Sequence, residues 1–234
     1  GLVGGETLSL TGQGTIVDKN VGTGKTITLN TLTLNDGSNP THLASNYTFT
    51  GGTHTFDVTQ RAITFSGTKV YDGNTTVSSS ELTTITNLAG SETLSFTGSG
   101  SVASANVQTG QSITNGTLAI NNGTGLASNY NLTTGTFDIS QRWVTLSGTR
   151  SYDGTTTAAS SDLTISNLVT GETLGLTGNG TVASKNVGSN KAITDVSLTL
   201  TDGSGLASNY TIGTKTFNIT QQAISIDGSK VYDG

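Results

Sequence analysis

The sequence contains no cysteine and no methionine, and it has one proline and one tryptophan among its 234 residues. Disulfide bonds therefore cannot hold this chain together, which excludes a small disulfide-stapled secreted domain. No apolar run reaches the roughly 18 residues that a membrane-spanning helix needs. Charge is scarce as well, with 10 basic and 15 acidic residues and a net charge of −5. Nucleic acid is not an expected partner, because binding it requires a basic surface.

The residues that are abundant favour strands and turns. Thr, Val, Ile and Tyr are strand formers, while the 32 glycines, together with Asn and Asp, favour tight turns. No segment shows a helical period long enough to predict an α-helix. The composition therefore predicts an all-β, or β-dominated, protein. The absence of cysteine suits a protein exported unfolded, although it is equally compatible with the cytosol.

A Tyr-Asp-Gly turn occurs three times, beginning at Tyr71, Tyr152 and Tyr232, at intervals of 81 and 80 residues. Self-similarity at a fixed period indicates a chain built from repeated units. Four other segments recur in the same order, represented in the third copy by Gly171–Leu174, Lys185–Gly188, Leu206–Tyr210 and Thr216–Gln221. The predicted units are residues 1–60 (repeat 1, lacking its opening strand), 61–141 (repeat 2), 142–222 (repeat 3) and 223–234 (the opening strand of a fourth repeat).

This register leaves an opening strand at one end of the chain and a repeat without one at the other. Residue 1 aligns with Asn87 and Asn167, while Gly234 aligns with Gly73 and Gly154. Two arrangements are predicted. Either residues 223–234 complete the first repeat of a neighbouring molecule, or the true domain is permuted and begins after the turn.

Short stretches of alternating apolar and polar residues predict about six or seven half-buried strands in each repeat. Residues 76–82 and their counterpart at 160–163 are predicted to hold one short helical turn, with a Ser/Asp N-cap in the second copy. The predicted fold is a β-grasp-like or immunoglobulin-like domain, repeated end to end as a rod. The predicted core consists of Leu94, Phe96, Tyr130, Phe137, Ile139 and their counterparts.

The recurring pattern resembles the YDG-type repeats of large bacterial adhesins, which include filamentous-haemagglutinin-like, two-partner-secretion exoproteins and are related to mucin-binding-type β-grasp repeats. Its marks here are Lys69–Thr76, Gly171–Leu174, Lys185–Gly188, Ala207–Thr211 and Phe217–Gln221. The resemblance covers the whole chain and implies a secreted or cell-surface stalk that supports adhesion or biofilm formation. It transfers no binding site, and repeat 2 departs from it with Ala105 in place of lysine.

An enzyme is not expected, because the sequence offers no catalytic or zinc-binding set. The only histidines, His42 and His54, have no counterparts in the other repeats. No cofactor is expected, with calcium as the alternative, since Asp and Asn oxygens are its ligands. The candidate calcium residues lie in equivalent Asx-Gly loops or recur in place, but turn chemistry also explains the loops: Asp36, Asn122, Asp202, Glu6, Glu92 and Glu172. Each recurring Glu is expected to start a strand and to accept a hydrogen bond from a nearby amide.

Trp143 stands at a repeat boundary where the other copies carry Ala62 and Ala223. A position that accepts both Ala and Trp is not expected to be a tight core site. We predict that Trp143 packs at the junction between repeats, with a ligand-stacking platform as the alternative. The chain as a whole is predicted to be a stalk whose partners are its own neighbouring repeats. Two alternatives remain, namely direct binding of extracellular polysaccharide or host glycans and self-association through strand edges.

Overall fold

A computed structural model describes residues 1–50, 52–195 and 197–234. The described chain is all-β and contains 21 strands. Those of residues 1–60 are β1 (Ser9–Thr11), β2 (Thr15–Ile16), β3 (Gly22–Thr28), β4 (Thr33–Asn35) and β5 (Thr55–Val58). Residues 61–141 contain β6 (Arg61–Val70), β7 (Thr76–Ser78), β8 (Leu82–Thr86), β9 (Leu94–Thr97), β10 (Ser99–Ser101), β11 (Gln108–Ile113), β12 (Ala119–Asn122) and β13 (Tyr130–Ser140). Residues 142–222 contain β14 (Arg142–Ser151), β15 (Thr157–Ala159), β16 (Leu163–Ser166), β17 (Leu174–Thr177), β18 (Asn179–Val182), β19 (Gly188–Asp195), β20 (Thr199–Asp202) and β21 (Tyr210–Thr220).

The helical elements of the described chain are short 3-10 turns of three residues: Ala44–Asn46, Ser79–Glu81, Ala127–Asn129, Ser160–Asp162 and Ala207–Asn209. The predicted helical turn after Thr76 is confirmed. A capping box holds its first copy, in which the Ser78 hydroxyl accepts from the Ser80 amide and the Glu81 carboxylate accepts from the Ser78 amide. The predicted Ser/Asp cap of the second copy is wrong, because Ala159 occupies the N-cap position and has no side-chain oxygen. Within the described residues, no helix is long and apolar enough to cross a membrane.

The described chain forms two compact units. Unit 1 consists of Gly1–Phe65, Thr84–Gly98 and Thr117–Thr134, and unit 2 consists of Ser66–Thr83, Ser99–Gly116 and Gly135–Gly234. A four-stranded sheet has the order β11-β13-β6-β8. The count of eight strands in each of the two longer repeats exceeds the predicted six or seven, because strands as short as β7 and β10 leave little alternating pattern in the sequence.

Unit 2 contains a six-stranded sheet of order β15-β18-β19-β21-β14-β16. Two neighbouring strands of this sheet, β14 and β21, are parallel, and their pairing runs from Arg142 beside Tyr210 to Ser151 beside Thr220. Gly148 lies opposite Phe217 in this pair, and a Cβ at Gly148 would lie 2.9 Å from the phenylalanine ring. Inward side chains of the sheet, together with Leu198 from the segment before β20, form a core of Leu146, Ala158, Val182, Ile193, Leu198, Phe217 and Ile219.

Unit 1 contains two two-stranded sheets, β1-β4 and β9-β12, and a three-stranded sheet of order β2-β3-β5. Its buried side chains include Ile63, Phe65, Leu118 and Tyr130. The rings of Phe65 and Phe96 pack with their centroids 5.3 Å apart. Among the described residues of 1–60, by contrast, no side chain is buried.

The core prediction is confirmed for Tyr130, Phe137 and Ile139, each of which is at most 3% exposed. Leu94 and Phe96 are only partly buried. For the first repeat the prediction is wrong, since Phe56, the counterpart of Phe137, is 54% exposed and Leu10 is 59% exposed. Phe56 lies on β5, which has β3 as its one neighbour in the described chain, whereas β21 has a strand on each side.

Candidate interface between consecutive repeats

A carboxylate and a tyrosine from the same repeat meet in each copy. The tyrosine hydroxyl donates to Glu6 from Tyr47 at 2.5 Å, to Glu92 from Tyr130 at 2.6 Å and to Glu172 from Tyr210 at 2.5 Å. Each hydroxyl also accepts a backbone N–H, from Val3, Ala89 or Val169, at 3.0 to 3.1 Å. Hydrogen bonds to a charged group are the stronger ones, so each pair is held in one geometry.

Each glutamate lies two or three residues before a strand, close to the predicted strand start. The predicted donor is wrong, because these carboxylates accept from tyrosine hydroxyls, and Glu92 also from Lys19, instead of from a nearby amide. The signal was available, because Glu and Tyr recur together at separations of 41, 38 and 38 residues. Sequence spacing does not show that two such distant positions meet.

The 3-10 turn that precedes each tyrosine is fixed by an Asx side chain. Its Oδ1 atom accepts the backbone N–H of the first residue of the turn at 2.7 Å, as in the pairs Asp36–Ala44, Asn122–Ala127 and Asp202–Ala207. These side-chain oxygens are among those that the sequence suggested as calcium ligands. In the part of the chain that the structure describes, no group of three or more His, Asp or Glu side chains is arranged to hold a metal ion.

The asparagine that ends this turn reaches the preceding repeat. In unit 2, Asn209 accepts the Val107 N–H at 2.9 Å through Oδ1 and donates to Asn106 Oδ1 at 2.9 Å. In unit 1, Asn129 makes the same two bonds, to the Val21 N–H and to Asn20 Oδ1, again at 2.9 Å. A glutamine adds a bond in each unit, from Gln60 to the Ser128 carbonyl and from Gln141 to the Ser208 carbonyl.

We name the two sides of this contact by their residues. The head group of a repeat is its Glu, Asn and Tyr: Glu6, Asn46 and Tyr47; Glu92, Asn129 and Tyr130; Glu172, Asn209 and Tyr210. The tail group is an Asn-Val pair: Asn20 and Val21; Asn106 and Val107; Asn186 and Val187. The tyrosine of the Tyr-Asp-Gly turn belongs to the tail group of the second and third repeats, as Tyr71 and Tyr152.

Tyr71 completes the contact in unit 2. Its hydroxyl donates to the second oxygen of Glu172 at 2.5 Å, and its ring packs edge-on against Tyr210 with centroids 5.4 Å apart. Burial, and then the hydrogen bond to Glu172, raises the pKa of Tyr71 to about 12. The same two causes raise the pKa of Tyr210. Both hydroxyls therefore stay protonated as donors.

In unit 1 a lysine takes the corresponding place. The Lys19 ammonium lies 2.5 Å from Glu92, on the oxygen that Tyr130 leaves free. The hydrogen bond to Glu92 raises the pKa of Lys19, and the same bond lowers the pKa of Glu92. In the second repeat, where Tyr71 makes this contact, the lysine position is Ala105. The carboxylate of each later repeat is thus satisfied from the repeat before it.

The first Tyr-Asp-Gly turn, Tyr71 to Gly73, is a folded corner held by a buried lysine, and its tyrosine is 4% exposed. The ammonium of Lys69 is buried and lies 2.9 Å from Asp72, 2.9 Å from the Asn74 carbonyl and 2.8 Å from the Thr76 carbonyl. Burial acts to raise the pKa of Asp72, but hydrogen bonds from Lys69 and from the Asn74 amide outweigh it and lower the pKa. Gly73 follows with φ +80°, a conformation that favours glycine.

Arg150 replaces this lysine in the third repeat. Its guanidinium donates to the carbonyls of Thr155 and Thr157, pairs with Asp153 at 2.9 Å and lies 5.5 Å from the centroid of the Phe217 ring. The corner therefore accepts either basic side chain, provided that the cation reaches the loop carbonyls.

Trp143 is 69% exposed, which agrees with the prediction that its position is not a tight core site. Its ring lines an open cleft of about 600 Å³ together with Val70, Arg142, Asn167 and Thr211. Val70 belongs to the preceding repeat by sequence, so the cleft borders the junction within unit 2. The tryptophan does not take part in the head and tail contacts.

The two histidines have structural partners. The His42 ring accepts the Thr7 N–H at 3.1 Å, and the His54 ring lies 2.8 Å from the Phe49 carbonyl and packs edge-on against the Phe49 ring. The Nδ1 atom of His42 also lies 3.4 Å from the Thr7 hydroxyl.

The same Glu, Asn and Tyr recur at both junctions. This recurrence indicates that one type of domain is used several times in the chain. The family model of the YDG domain matches residues 1–55, 57–137 and 141–217. The chain belongs to the YDG domain family. Comparison with curated proteins and with solved structures gave no match. In this YDG chain, the Tyr-Asp-Gly corner places Tyr71 where it contacts Glu172.

Proposed function

We propose that this YDG chain is a structural spacer in the stalk of a secreted or cell-surface bacterial adhesin, where it supports adhesion or biofilm formation. The observation that carries the proposal is the repeated pair of hydrogen bonds from Asn129 in unit 1 and from Asn209 in unit 2 to the preceding repeat. The same two hydrogen bonds at both junctions fix the position of each repeat against the repeat before it. A ligand-binding site would not require these bonds.

The connections between repeats support the same role. In unit 1, β5 ends at Val58 and β6 begins at Arg61, and in unit 2, β13 ends at Ser140 and β14 begins at Arg142. Connections this short leave no flexible tether between successive repeats. A spacer that holds a distal domain away from a cell needs such direct joints.

The strand arrangement of the third repeat suits a load-bearing role. The chain enters this repeat at the start of β14 and leaves it at the end of β21, and these two strands are parallel neighbours. Tension along the chain therefore shears the pair, so that the hydrogen bonds between the strands must break together. With about 3.3 Å per residue, a strand of this length would add about 35 Å to a stalk.

Single-molecule pulling tests the mechanical part of this proposal, and the absence of native cysteine allows free choice of attachment points. Cysteines at Trp143 and Thr220 load β14 against β21 in shear, whereas cysteines at Trp143 and Thr211, which are paired neighbours, peel the strands apart. We expect a several-fold higher rupture force in the first geometry. Equal, low forces in both geometries would contradict a load-bearing role.

The location needs a separate test. Antibodies raised against this chain should label intact, unpermeabilised cells of the producing bacterium, or its culture medium. Labelling that appears only after the cells are broken open would overturn the proposal of a secreted or surface-held stalk.

A second candidate function is glycan binding at the Trp143 cleft, favoured by the exposure of the indole ring. Sugars stack on exposed aromatic faces, and the cleft also offers Arg142, Asn167 and Thr211 as polar groups. A glycan array should then give hits that disappear in Trp143→Ala and persist in Trp143→Phe. An array without hits, or hits that survive Trp143→Ala, would remove this candidate.

A further inference from the structure

Trp143 and Gly213 form a pair that differs from its counterpart in the second repeat. A Cβ added at Gly213 would lie 3.4 Å from Cε3 of the indole, so the ring occupies the space beside the bare backbone of this glycine. The corresponding residues of the second repeat are Ala62 and Thr133, and the Thr133 hydroxyl donates to the Ile63 carbonyl at 2.6 Å. The large aromatic side chain therefore accompanies a residue without a side chain, and this pairing places the indole against the sheet.

The backbone that carries Trp143 is held by Arg142 and Asn167. The Asn167 side chain donates to the Trp143 carbonyl at 2.6 Å through Nδ2. Arg142 donates to the carbonyl and to Oδ1 of Asn167, at 2.7 and 2.9 Å. Arg61 and Asn87 make the same three bonds in the second repeat, where the position of the indole is an alanine. The arginine and the asparagine are thus common to both repeats, and the indole distinguishes the third.

The indole is open to solvent although its position is fixed. Trp143 is 69% exposed, and Val70, which lines the same cleft, is 53% exposed. The cleft lies where the second repeat passes into the third, well inside the chain. A ring that is already held in place loses little conformational freedom when a flat apolar group stacks on it. The C–H face of a pyranose ring is such a group.

The Trp143 cleft carries one positive charge. Of the residues that line it, Arg142 is charged, and the others are Val, Ser, Gln, Trp, Asn and Thr. The bonds from Arg142 to Asn167 use Nε and one N–H of Nη2, so the edge formed by Nη1 and Nη2 still presents a pair of donors to the cleft. Two parallel N–H groups of arginine match the two oxygens of a carboxylate.

These features select one class of ligand. A cationic group would stack on the indole, but Arg142 would repel it. A phosphate monoester carries close to two negative charges, whereas the cleft offers one cation. A neutral sugar would stack and leave the arginine donors unused. A ring with an apolar face, a hydroxyl rim and a single carboxylate uses the indole, the guanidinium and the polar groups of Asn167 and Thr211 together.

From this chemistry we propose that the Trp143 cleft binds a carboxylated pyranose, namely a hexuronic or sialic acid residue of a polysaccharide. The sugar ring stacks on the indole, and its carboxylate accepts from Nη1 and Nη2 of Arg142. The proposal names the substrate class for the glycan-binding candidate described above and rests on that candidate. It does not depend on the stalk role, since a stalk repeat can carry a ligand site on its surface.

The fluorescence of Trp143 provides a direct test, because this is the single tryptophan of the chain. The native chain is titrated with tetragalacturonate and its methyl ester, and with sialyllactose and lactose. Each pair compares a carboxylated sugar with a neutral one. We expect at least one acid to change the fluorescence and its neutral partner to bind about tenfold more weakly, because a charge-assisted pair of hydrogen bonds is lost. The acid that responds identifies the source of the carboxylate.

Two results would overturn the proposal, and they have different consequences for glycan binding. Equal affinity for an acid and its neutral partner would exclude the carboxylate as the recognised group and would leave glycan binding at Trp143 in place. Binding to none of the four saccharides would overturn the proposal as well. A glycan array without hits would then remove the glycan-binding candidate itself.

A matched pair of arginine variants separates the carboxylate contact from stability. Arg142→Gln and Arg61→Gln remove the same two hydrogen bonds, to Asn167 and to Asn87, and glutamine already occupies the counterpart position at Gln222. Calorimetric titration should give Arg61→Gln the native preference for acid over ester. In Arg142→Gln the ratio of the two affinities should fall to about 1, because no cation faces the carboxylate. An unchanged ratio in Arg142→Gln would overturn the assignment of Arg142.

Discussion

The hydroxyl of Tyr71 lies 2.5 Å from Oε1 of Glu172, a residue 101 positions later in the chain. The other oxygen of the same carboxylate accepts from Tyr210, also at 2.5 Å. One glutamate thus joins a tyrosine of its own repeat to a tyrosine of the repeat before it. Because the two phenol rings also pack edge-on against each other, the contact combines packing with charge-assisted hydrogen bonds.

Removing the Tyr71 hydroxyl should weaken unit 2. Tyr71→Phe keeps the ring contact with Tyr210 but takes one donor from Glu172, and we expect a loss of about 2 kcal/mol in the free energy of unfolding. Tyr152→Phe is the control, since that ring is 37% exposed, and should change stability by less than about 0.5 kcal/mol. Urea unfolding of the three proteins measures both. Equal losses of stability in the two variants would show that the hydrogen bond from Tyr71 to Glu172 does not stabilise the fold.

The raised pKa of Tyr71 predicts sensitivity to alkali. Its value of about 12, against an ordinary 10.0, arises from burial and from the hydrogen bond to Glu172, both of which favour the neutral phenol. Stability from this group is therefore complete below pH 10 and is lost as pH rises through about 12. Urea midpoints measured over this range should fall more steeply for the native chain than for Tyr71→Phe. Parallel pH profiles would contradict the assignment.

Among the polar residues of the junction in unit 2, Asn209 should contribute most to the free energy of unfolding. Asn209→Ala removes two hydrogen bonds and leaves the Val107 N–H without its acceptor, for an expected loss of about 2 to 3 kcal/mol. Its counterpart Asn46 is exposed, so Asn46→Ala should be nearly neutral when measured on dilute, monomeric chain. Thermal unfolding at low protein concentration compares the two. A neutral Asn209→Ala would rule out the junction as a source of stability.

Lys69 tests the Tyr-Asp-Gly corner. Lys69→Met keeps the apolar stem but leaves Asp72 and the Asn74 and Thr76 carbonyls without the ammonium, and we expect a loss of about 2 kcal/mol. Lys69→Arg should lose less than about 1 kcal/mol, because Arg150 already fills the equivalent corner.

Lys230 provides the matched control for this corner, since its ion pair with Asp233 is exposed on both sides. Lys230→Met should change stability by less than about 0.5 kcal/mol. Chemical denaturation distinguishes these variants. If Lys69→Met and Lys230→Met behave alike, the burial of the ammonium is not what stabilises the corner.

Much of this architecture was predictable because it depends on local chemistry. Alternation of apolar and polar residues indicated the strands, and the Ser-Ser-Glu stretch indicated the 3-10 turn after Ser78. The burial of Phe137 and Ile139 followed from the same period of two. Strands of three residues were missed because so short a segment carries hardly one full alternation.

The interface was not predictable in this way, because its residues are ordinary turn and strand residues in the sequence. Glu172 was interpreted as the start of a strand, and Asp202 as a calcium ligand or a turn residue. Their partners are set by how loops from different strands converge, which no local pattern encodes. Phe56 also shows that local sequence does not decide burial. It has the sequence environment of a core residue and yet is 54% exposed.

The sequence by itself determined the all-β class, the period of the repeat and the positions of its turns, since these depend on backbone preferences and on side-chain alternation along the chain. Only the tertiary structure decided that Glu172 binds two tyrosines, that Asn209 crosses to Asn106, and that Tyr152 lies open where Tyr71 is covered. The physical reason is that a hydrogen bond between positions a hundred residues apart depends on the folded path of the chain between them.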